Sequence, residues 1–197
     1  MLESYKKNSL ILGSIAIAIA VSLIPLFPSD SIKSTGYNDG SVLKGYFTLT
    51  QADQNGNVIR VIHTPNLVMN EGMECVSDLI FGSTSCTGEA FFKYLAVGTS
   101  ATAVNANQTA LVSESGTCSR VVDNTPVVDA STSGQRAVTL SSLFSGASCE
   151  GSGFQETGLF DASTSGNMLA RSLISPAITL SSGDTLTIDY TITINNT

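Results

Sequence analysis

The chain has no tryptophan, a single histidine and few charged side chains, and each shortage excludes a class of protein. One histidine argues against zinc sites built on several imidazoles and against histidine-dependent nucleophilic catalysis. Lysine and arginine number 9 against 16 acidic residues, so the net charge of -7 gives no basic surface for nucleic acid. No Gly-x-Ser-x-Gly, Gly-x-x-x-x-Gly-Lys or His-Glu-x-x-His motif occurs. We therefore expect no enzyme, no catalytic residue, no cofactor, no metal site and no nucleic-acid partner.

Charge is also missing from the N-terminal region, between Lys7 and Asp30. Residues 10–27 are almost wholly apolar and, with their uncharged flanks, reach the roughly 20 residues that cross a bilayer as a helix. The lysines precede this run, so the positive-inside rule places the chain beyond residue 30 outside the cell. A cleaved secretory signal is the open alternative. Residues 1–30 are interpreted as a membrane anchor or signal segment, and the remainder as extracellular or cell-surface material, membrane-anchored or secreted.

Beyond the apolar run the pattern changes to one of short strands. Residues 31–41 are polar and rich in turn formers, which indicates a linker to a domain of residues 42–197. Alternating runs separated by Gly, Asn, Asp and Ser clusters are typical of antiparallel sandwiches and barrels. We predict an all-β, jelly-roll-like antiparallel sandwich of about eight or nine strands. The predicted strands are Val42–Gln51, Val58–His63, Phe91–Val97, Arg120–Val128, Arg136–Phe144, Phe154–Phe160, Met168–Ile174 and Thr185–Ile194, with a hairpin turn at Asp53–Asn57.

One short helix interrupts the strands after residue 69. Asn70 is a suitable N-cap, and Gly82 is a suitable residue to end the helix. Apolar residues spaced three and four apart predict a buried stripe on this helix, formed by Met73, Val76, Leu79 and Ile80.

The cysteines support an exterior location, because an even number without a Cys-x-x-Cys pair suits disulfides. They are Cys75, Cys86, Cys118 and Cys149. Three pairings are possible, with buried free thiols as a further alternative. We favour Cys75–Cys86, which pins the helix to the following loop, and Cys118–Cys149, which joins two strand edges. Asn107 and Asn195 each begin an Asn-x-Thr glycosylation sequon.

A series of short segments carries a resemblance to a known kind of module. They are Asn66–Val68, Asn70–Gly72, Tyr94–Ser100, Thr109–Leu111, Gln155–Asp161, Asn167–Arg171 and Leu180–Leu186. In this order they resemble a β domain of structural proteins in tailed bacteriophages and archaeal viruses, and of some archaeal surface proteins. The resemblance covers most of residues 56–194. It implies a β-sandwich that serves as a tail fibre, decoration protein or surface-appendage subunit, with no catalytic residues. The membrane segment and the four cysteines depart from the phage pattern.

The leading functional hypothesis is a structural subunit of an extracellular filament, surface array or virion. Its partners would be copies of itself, joined by strand addition at two long alternating strands. The residues expected to interact are Val42, Tyr46, Thr48, Leu186, Ile188, Tyr190 and Ile192. The alternative for these strands is pairing within their own subunit. The alternative function is an attachment module that binds glycan or a receptor, and the membrane would be contacted through residues 10–27.

Overall fold

The computed structural model describes residues 41–82, 86, 91–151 and 153–196. The chain divides into Met1–Asn38 and Asp39–Thr197, and all described residues belong to the second unit. The predicted membrane segment of residues 10–27, and the linker up to residue 40, lie outside them. No helix within these described ranges is long and apolar enough to cross a membrane.

Ten strands are present in the described part of the chain: β1 Ser41–Ala52, β2 Val58–Pro65, β3 Leu67–Val68, β4 Tyr94–Gly98, β5 Val121–Val122, β6 Val127–Asp129, β7 Gln135–Ser145, β8 Phe154–Phe160, β9 Met168–Ile178 and β10 Thr185–Asn196. They form two antiparallel five-stranded sheets, with orders β2-β1-β10-β7-β6 and β3-β9-β8-β4-β5. The all-β sandwich is therefore confirmed. The ten strands of these two sheets are more than the eight or nine that were predicted, and more than the eight strands of a jelly roll.

The predicted strand Arg120–Val128 is wrong, because it is two short strands in different sheets. Between them the Asp123 carboxylate accepts a hydrogen bond from the Thr125 N–H at 2.7 Å, which is an Asx turn. Pro126 follows and lacks the N–H that a central strand would donate. The turn lets the chain leave the second sheet after β5 and join the first sheet as β6.

The core lies between the two sheets and follows the period-two alternation of the strands. Phe47 and Leu49 of β1 and Leu186, Ile188 and Tyr190 of β10 are fully buried. The rings of Phe47 and Tyr190 lie 4.6 Å apart between centroids. Each such side chain stabilises the fold by about 1.5–3 kcal/mol on burial.

Side chains join the two sheets along both sides of the sandwich. On one side, the Ser172 hydroxyl donates to the Pro65 carbonyl at 2.7 Å and the Thr64 hydroxyl to the Leu173 carbonyl at 3.1 Å. On the other, Ser142 donates to the Val121 carbonyl at 3.2 Å. Hydroxyl groups thus satisfy main-chain acceptors where the strands do not pair.

The helix predicted after residue 69 is present as α1, Asn70–Phe81, and ends at Gly82 with a φ of 74°. A four-residue helix, α2 (Gly146–Cys149), was not predicted. The predicted cap is wrong, because the N-cap position is Met69 and the Asn70 side chain donates instead to Asn107 Oδ1 at 2.7 Å.

The predicted buried stripe of α1 is also wrong. Of its four residues only Val76 packs against the core, whereas Met73, Leu79 and Ile80 are exposed. The buried positions are Gly72 and Cys75. Gly72 brings the helix backbone against β9, and a methyl group there would meet Leu169 Cα and, at 2.7 Å, the Met168 carbonyl oxygen. This close approach of two backbones, which the hydropathy pattern does not show, decides which face of α1 points to the core.

Gly72→Ala is therefore expected to destabilise the fold by about 1–3 kcal/mol, although alanine favours helices by about 1 kcal/mol over glycine. Urea unfolding under oxidising conditions measures the difference. The control is Gly116→Ala, where a methyl group meets no atom within 4 Å. A Gly72→Ala chain as stable as the wild type would show that the helix does not depend on this approach.

Candidate functional site

The two strands predicted to interact with other subunits, β1 and β10, are interior strands of the first sheet. β1 lies between β2 and β10, and β10 lies between β1 and β7. Their main chains pair with each other along their whole length, from Ser41 opposite Asn196 to Ala52 opposite Thr185. The sequence left this arrangement open as the alternative. No free edge remains on β10 for strand addition.

Among the residues predicted to interact, those of β10 lie on the inner face of the first sheet, and Tyr46 and Thr48 lie on its outer face. Leu186, Ile188 and Tyr190 belong to the buried core, and Ile192 packs against it. Burial raises the pKa of the Tyr190 hydroxyl above its ordinary value, and Asn66 Nδ2 donates to this oxygen at 3.4 Å. Val42 pairs with Asn195 in the sheet. Leu186, Ile188 and Tyr190 are therefore buried within this chain, because inward positions of a strand alternate with outward ones.

Tyr46 and Thr48 lie on the outer face of the first sheet, which is rich in hydroxyl groups. Thr48 Oγ1 lies 3.0 Å from His63 Nδ1, and the hydroxyls of Thr139 and Thr191 are 2.9 Å apart. Ser141 donates to Asp189 at 2.6 Å. Since these polar groups already bond to one another across the strands, the outer face offers few unsatisfied groups to a partner.

An apolar groove opens on the side of the sandwich where β6 is the edge strand. It has a volume of about 410 Å³. Its walls come from the end of α1, the segment before β4, the β5–β6 turn and the inner face of β7, and its apolar lining consists of Leu79, Phe91, Phe92, Pro126, Val138 and Leu140. One polar side chain of the lining, the Asp123 carboxylate, already accepts hydrogen bonds from the N–H groups of Thr125 and Ser141, at N···O distances of 2.7 and 2.8 Å. The groove is therefore mainly a hydrophobic feature.

Large apolar side chains that face solvent occur on, or next in sequence to, the segments that form the walls of this groove. The exposed fraction is 68 % for Ile80, 82 % for Phe81 and 71 % for Phe91. Val127 and Val128 of the edge strand β6 are exposed as well. We call this set the apolar edge: Leu79, Ile80, Phe81, Phe91, Val127 and Val128. Extended exposed apolar patches on a soluble domain usually mark an interaction site.

The sequence contains one feature that indicates the apolar edge, a run of three apolar residues at the end of α1. Leu79, Ile80 and Phe81 are consecutive, and three consecutive positions point in three directions around a helix. At most one or two of them can face the core, so the remainder must be exposed or covered by a partner. The three-and-four spacing places Leu79 and Ile80 in the predicted buried stripe and does not include Phe81.

The structure forms the two disulfides that the sequence favoured, Cys75–Cys86 and Cys118–Cys149, and leaves no cysteine free. The first joins α1 to the chain after it, and the second joins the loop before β5 to α2. Glycosylation stays a prediction. Asn107 is exposed, whereas Asn195 is partly buried within the first sheet.

A buried ion pair in the second sheet was not predicted from the sequence. Arg171 and Glu156 have fully buried side chains, and Arg171 Nη2 lies 2.7 Å from Glu156 Oε2. Both residues occur in segments that carried the family resemblance. Neither residue lines the groove and both side chains are fully buried, so we interpret the pair as structural.

Comparison with known proteins places the chain among fibre proteins. The family model described as Podophage GP4 fiber I protein gp80 matches residues 73–193, more than half of the chain. No curated protein and no solved structure matches it. The match agrees with the phage part of the resemblance and lends no support to the archaeal appendage part. The chain belongs to the family of the podophage GP4 fiber I protein gp80.

Proposed function

We propose that the chain is a non-enzymatic structural subunit of a virion fibre, exposed on the outside of the particle, whose copies associate through the apolar edge. The observation that carries this proposal is the exposure of Phe91, which lines the groove, and of Ile80 and Phe81, which follow the groove residue Leu79 at the end of α1. Membership of a fibre family supports a structural role and an oligomer. The proposed occupant of the groove is a second copy of this chain.

Apolar contact, and not strand addition, is expected to supply most of the association energy. β6 is three residues long, so it offers few main-chain hydrogen bonds to another strand. The exposed rings of Phe81 and Phe91 bury far more surface on contact, and aromatic anchors dominate interface energies. The groove beside them is open to receive such a ring from another copy.

The double variant Ile80→Ser/Phe81→Ser is expected to weaken self-association of the full chain at least about a hundredfold, since two anchors near the centre of an interface each contribute about 2 kcal/mol or more. Sedimentation velocity over a concentration series measures this. The matched control is Val58→Ser/Ile59→Ser. It removes two exposed apolar side chains of β2, the strand at the other edge of the first sheet from β6. A wild-type chain that stays monomeric, or two double variants that behave alike, would contradict the proposal.

A second candidate function is attachment to glycan, favoured by the exposed ring of Phe91 beside Asn124 at the groove. Flat aromatic rings stack on the apolar faces of sugars. A monomeric wild-type chain that binds sugars on a glycan array, with binding lost in Phe91→Ser, would identify this function in place of self-association.

A further inference from the structure

The Cys75–Cys86 disulfide lies against a buried carboxylate, that of Asp161. Asp161 Oδ2 is 3.9 Å from Cys75 Sγ and 3.6 Å from Cys86 Sγ. The three potential ligand atoms all lie within 4.8 Å of one another. Asp161 is fully buried, and Cys86 is only partly buried. Two sulfurs and an oxygen therefore converge on one point near the surface.

Among the described residues, the carboxylate of Asp161 forms no ion pair. It accepts hydrogen bonds from the backbone N–H of Asn167 at 2.7 Å and from Asn167 Nδ2 at 2.6 Å. Arg120 reaches the same turn, but its guanidinium donates to Glu114 and to the carbonyls of Ala162 and Ser165. A buried carboxylate held only by neutral donors is costly. A disulfide sulfur has no hydrogen to donate, so the sulfurs do not relieve this cost.

A second carboxylate adds to the negative charge at this place. Glu71 Oε2 is buried without a hydrogen-bond partner. Burial raises the pKa of the Glu71 carboxyl, and the negative charge of Asp161 raises it further. A cation bound near Asp161 would stabilise both groups.

The two sulfur–oxygen distances are near those of tetrahedral coordination, whereas the bonded sulfurs must move apart before both can bind one metal. With metal–sulfur bonds of about 2.3 Å and metal–oxygen bonds of about 2.0 Å, neighbouring sulfur and oxygen ligands lie about 3.5 Å apart. The observed separations of 3.6 and 3.9 Å are close to this value. The sulfur–sulfur bond is what closes the site to a metal, because bonded sulfurs have no thiolate charge to donate.

We propose that reduction of the Cys75–Cys86 disulfide opens a site for a zinc-type divalent cation, held by the two thiolates and the carboxylate of Asp161. A thiol reductant supplies the two electrons and two protons, leaves both cysteines as thiols and is itself oxidised to a disulfide. The cation then displaces the two thiol protons to solvent. One coordination position stays open to water.

The compartment decides which form is present. A reducing compartment would favour the metal-bound form, and an oxidising compartment would favour the disulfide. The prediction of no metal site rests on the single histidine and on the lack of a Cys-x-x-Cys pair. Neither feature reveals a carboxylate that only the fold brings near the cysteines.

Titration of the full chain with Co²⁺ tests the site, because thiolate ligation gives a charge-transfer absorption in the near ultraviolet. The reduced chain, held in a phosphine reductant, is expected to bind one Co²⁺, and Zn²⁺ is expected to displace it. The oxidised chain is expected to show no such band. Cys118→Ser/Cys149→Ser is the matched control that keeps the site, whereas Cys75→Ser/Cys86→Ser removes the thiolates.

Asp161→Asn separates the carboxylate from a site made of thiols alone, since the amide keeps the shape of the side chain. We expect it to weaken Co²⁺ binding at least about tenfold, with the far-ultraviolet circular dichroism of the β-sandwich retained. Three results would overturn the proposal: no Co²⁺ band in the reduced wild-type chain, equal binding by Cys75→Ser/Cys86→Ser, or unchanged affinity in a folded Asp161→Asn chain.

Discussion

Arg171→Met is expected to lower the free energy of unfolding by about 3–5 kcal/mol, because it leaves Glu156 as a buried charge without its partner. Both side chains are fully buried, and two nitrogens of Arg171, Nε and Nη2, approach Glu156 Oε2 at 2.8 and 2.7 Å. Urea unfolding of the oxidised chain measures the loss. Arg136→Met is the matched control, since this exposed arginine donates, within the described ranges, only to the Gln135 carbonyl.

The ion pair also holds the long segment between β4 and β5. Glu156 accepts the N–H groups of Ser113 and Val112, at 2.7 and 3.1 Å. Arg171 donates to Gln108 Oε1 and to the Thr102 carbonyl, both at 3.0 Å. Removing either charge should therefore release this segment. Hydrogen exchange should show faster exchange of the Val112 and Ser113 amides in Arg171→Met.

The double variant Glu156→Leu/Arg171→Met separates two contributions to the free energy of unfolding: that of the intact ion pair, and the cost of leaving one buried charge unpaired. We expect it to recover part of the stability lost in Arg171→Met, since apolar residues of similar volume often replace a buried pair at little cost. Arg171→Met that costs no more than Arg136→Met would refute a structural role for the pair.

Loss of the Cys118–Cys149 disulfide is expected to destabilise the fold by about 3.7 kcal/mol, against about 2.8 kcal/mol for Cys75–Cys86, on the loop-closure model. The sequence separations are 31 and 11 residues. The longer loop gives the unfolded chain more freedom that the disulfide removes. Cys118 and Cys149 are also buried in the main core, so their loss removes packing as well.

Paired alanine variants, Cys118→Ala/Cys149→Ala and Cys75→Ala/Cys86→Ala, each keep the other disulfide and serve as controls for one another. Thermal unfolding should show a midpoint lowered by about 7–15 °C for the first pair, and by less for the second. Equal shifts, or a larger shift for Cys75→Ala/Cys86→Ala, would contradict the loop-length argument.

Local pattern alone determined much of this fold. The alternation in Thr185–Ile194 fixes which residues of that strand face inward, because successive side chains point to opposite faces. The Asp53–Asn57 turn is equally local: Asp53 accepts the Asn55 and Asn57 N–H groups, and Gly56 has a φ of 81°. An even set of cysteines in a chain with few other ligands suggested disulfides, and both form.

Only the tertiary structure decided which strands are neighbours, which face of α1 is buried and which charged side chains of the chain lie in the interior. Strand order depends on contacts between distant segments, so a long alternating strand such as Thr185–Ile194 reads the same at an edge or in the interior. The face of α1 is set by the approach of Gly72 to β9, and hydropathy cannot show it. Arg171 and Asp161 are buried because the fold surrounds them with specific donors and acceptors, whereas composition alone assigns charged side chains to the surface.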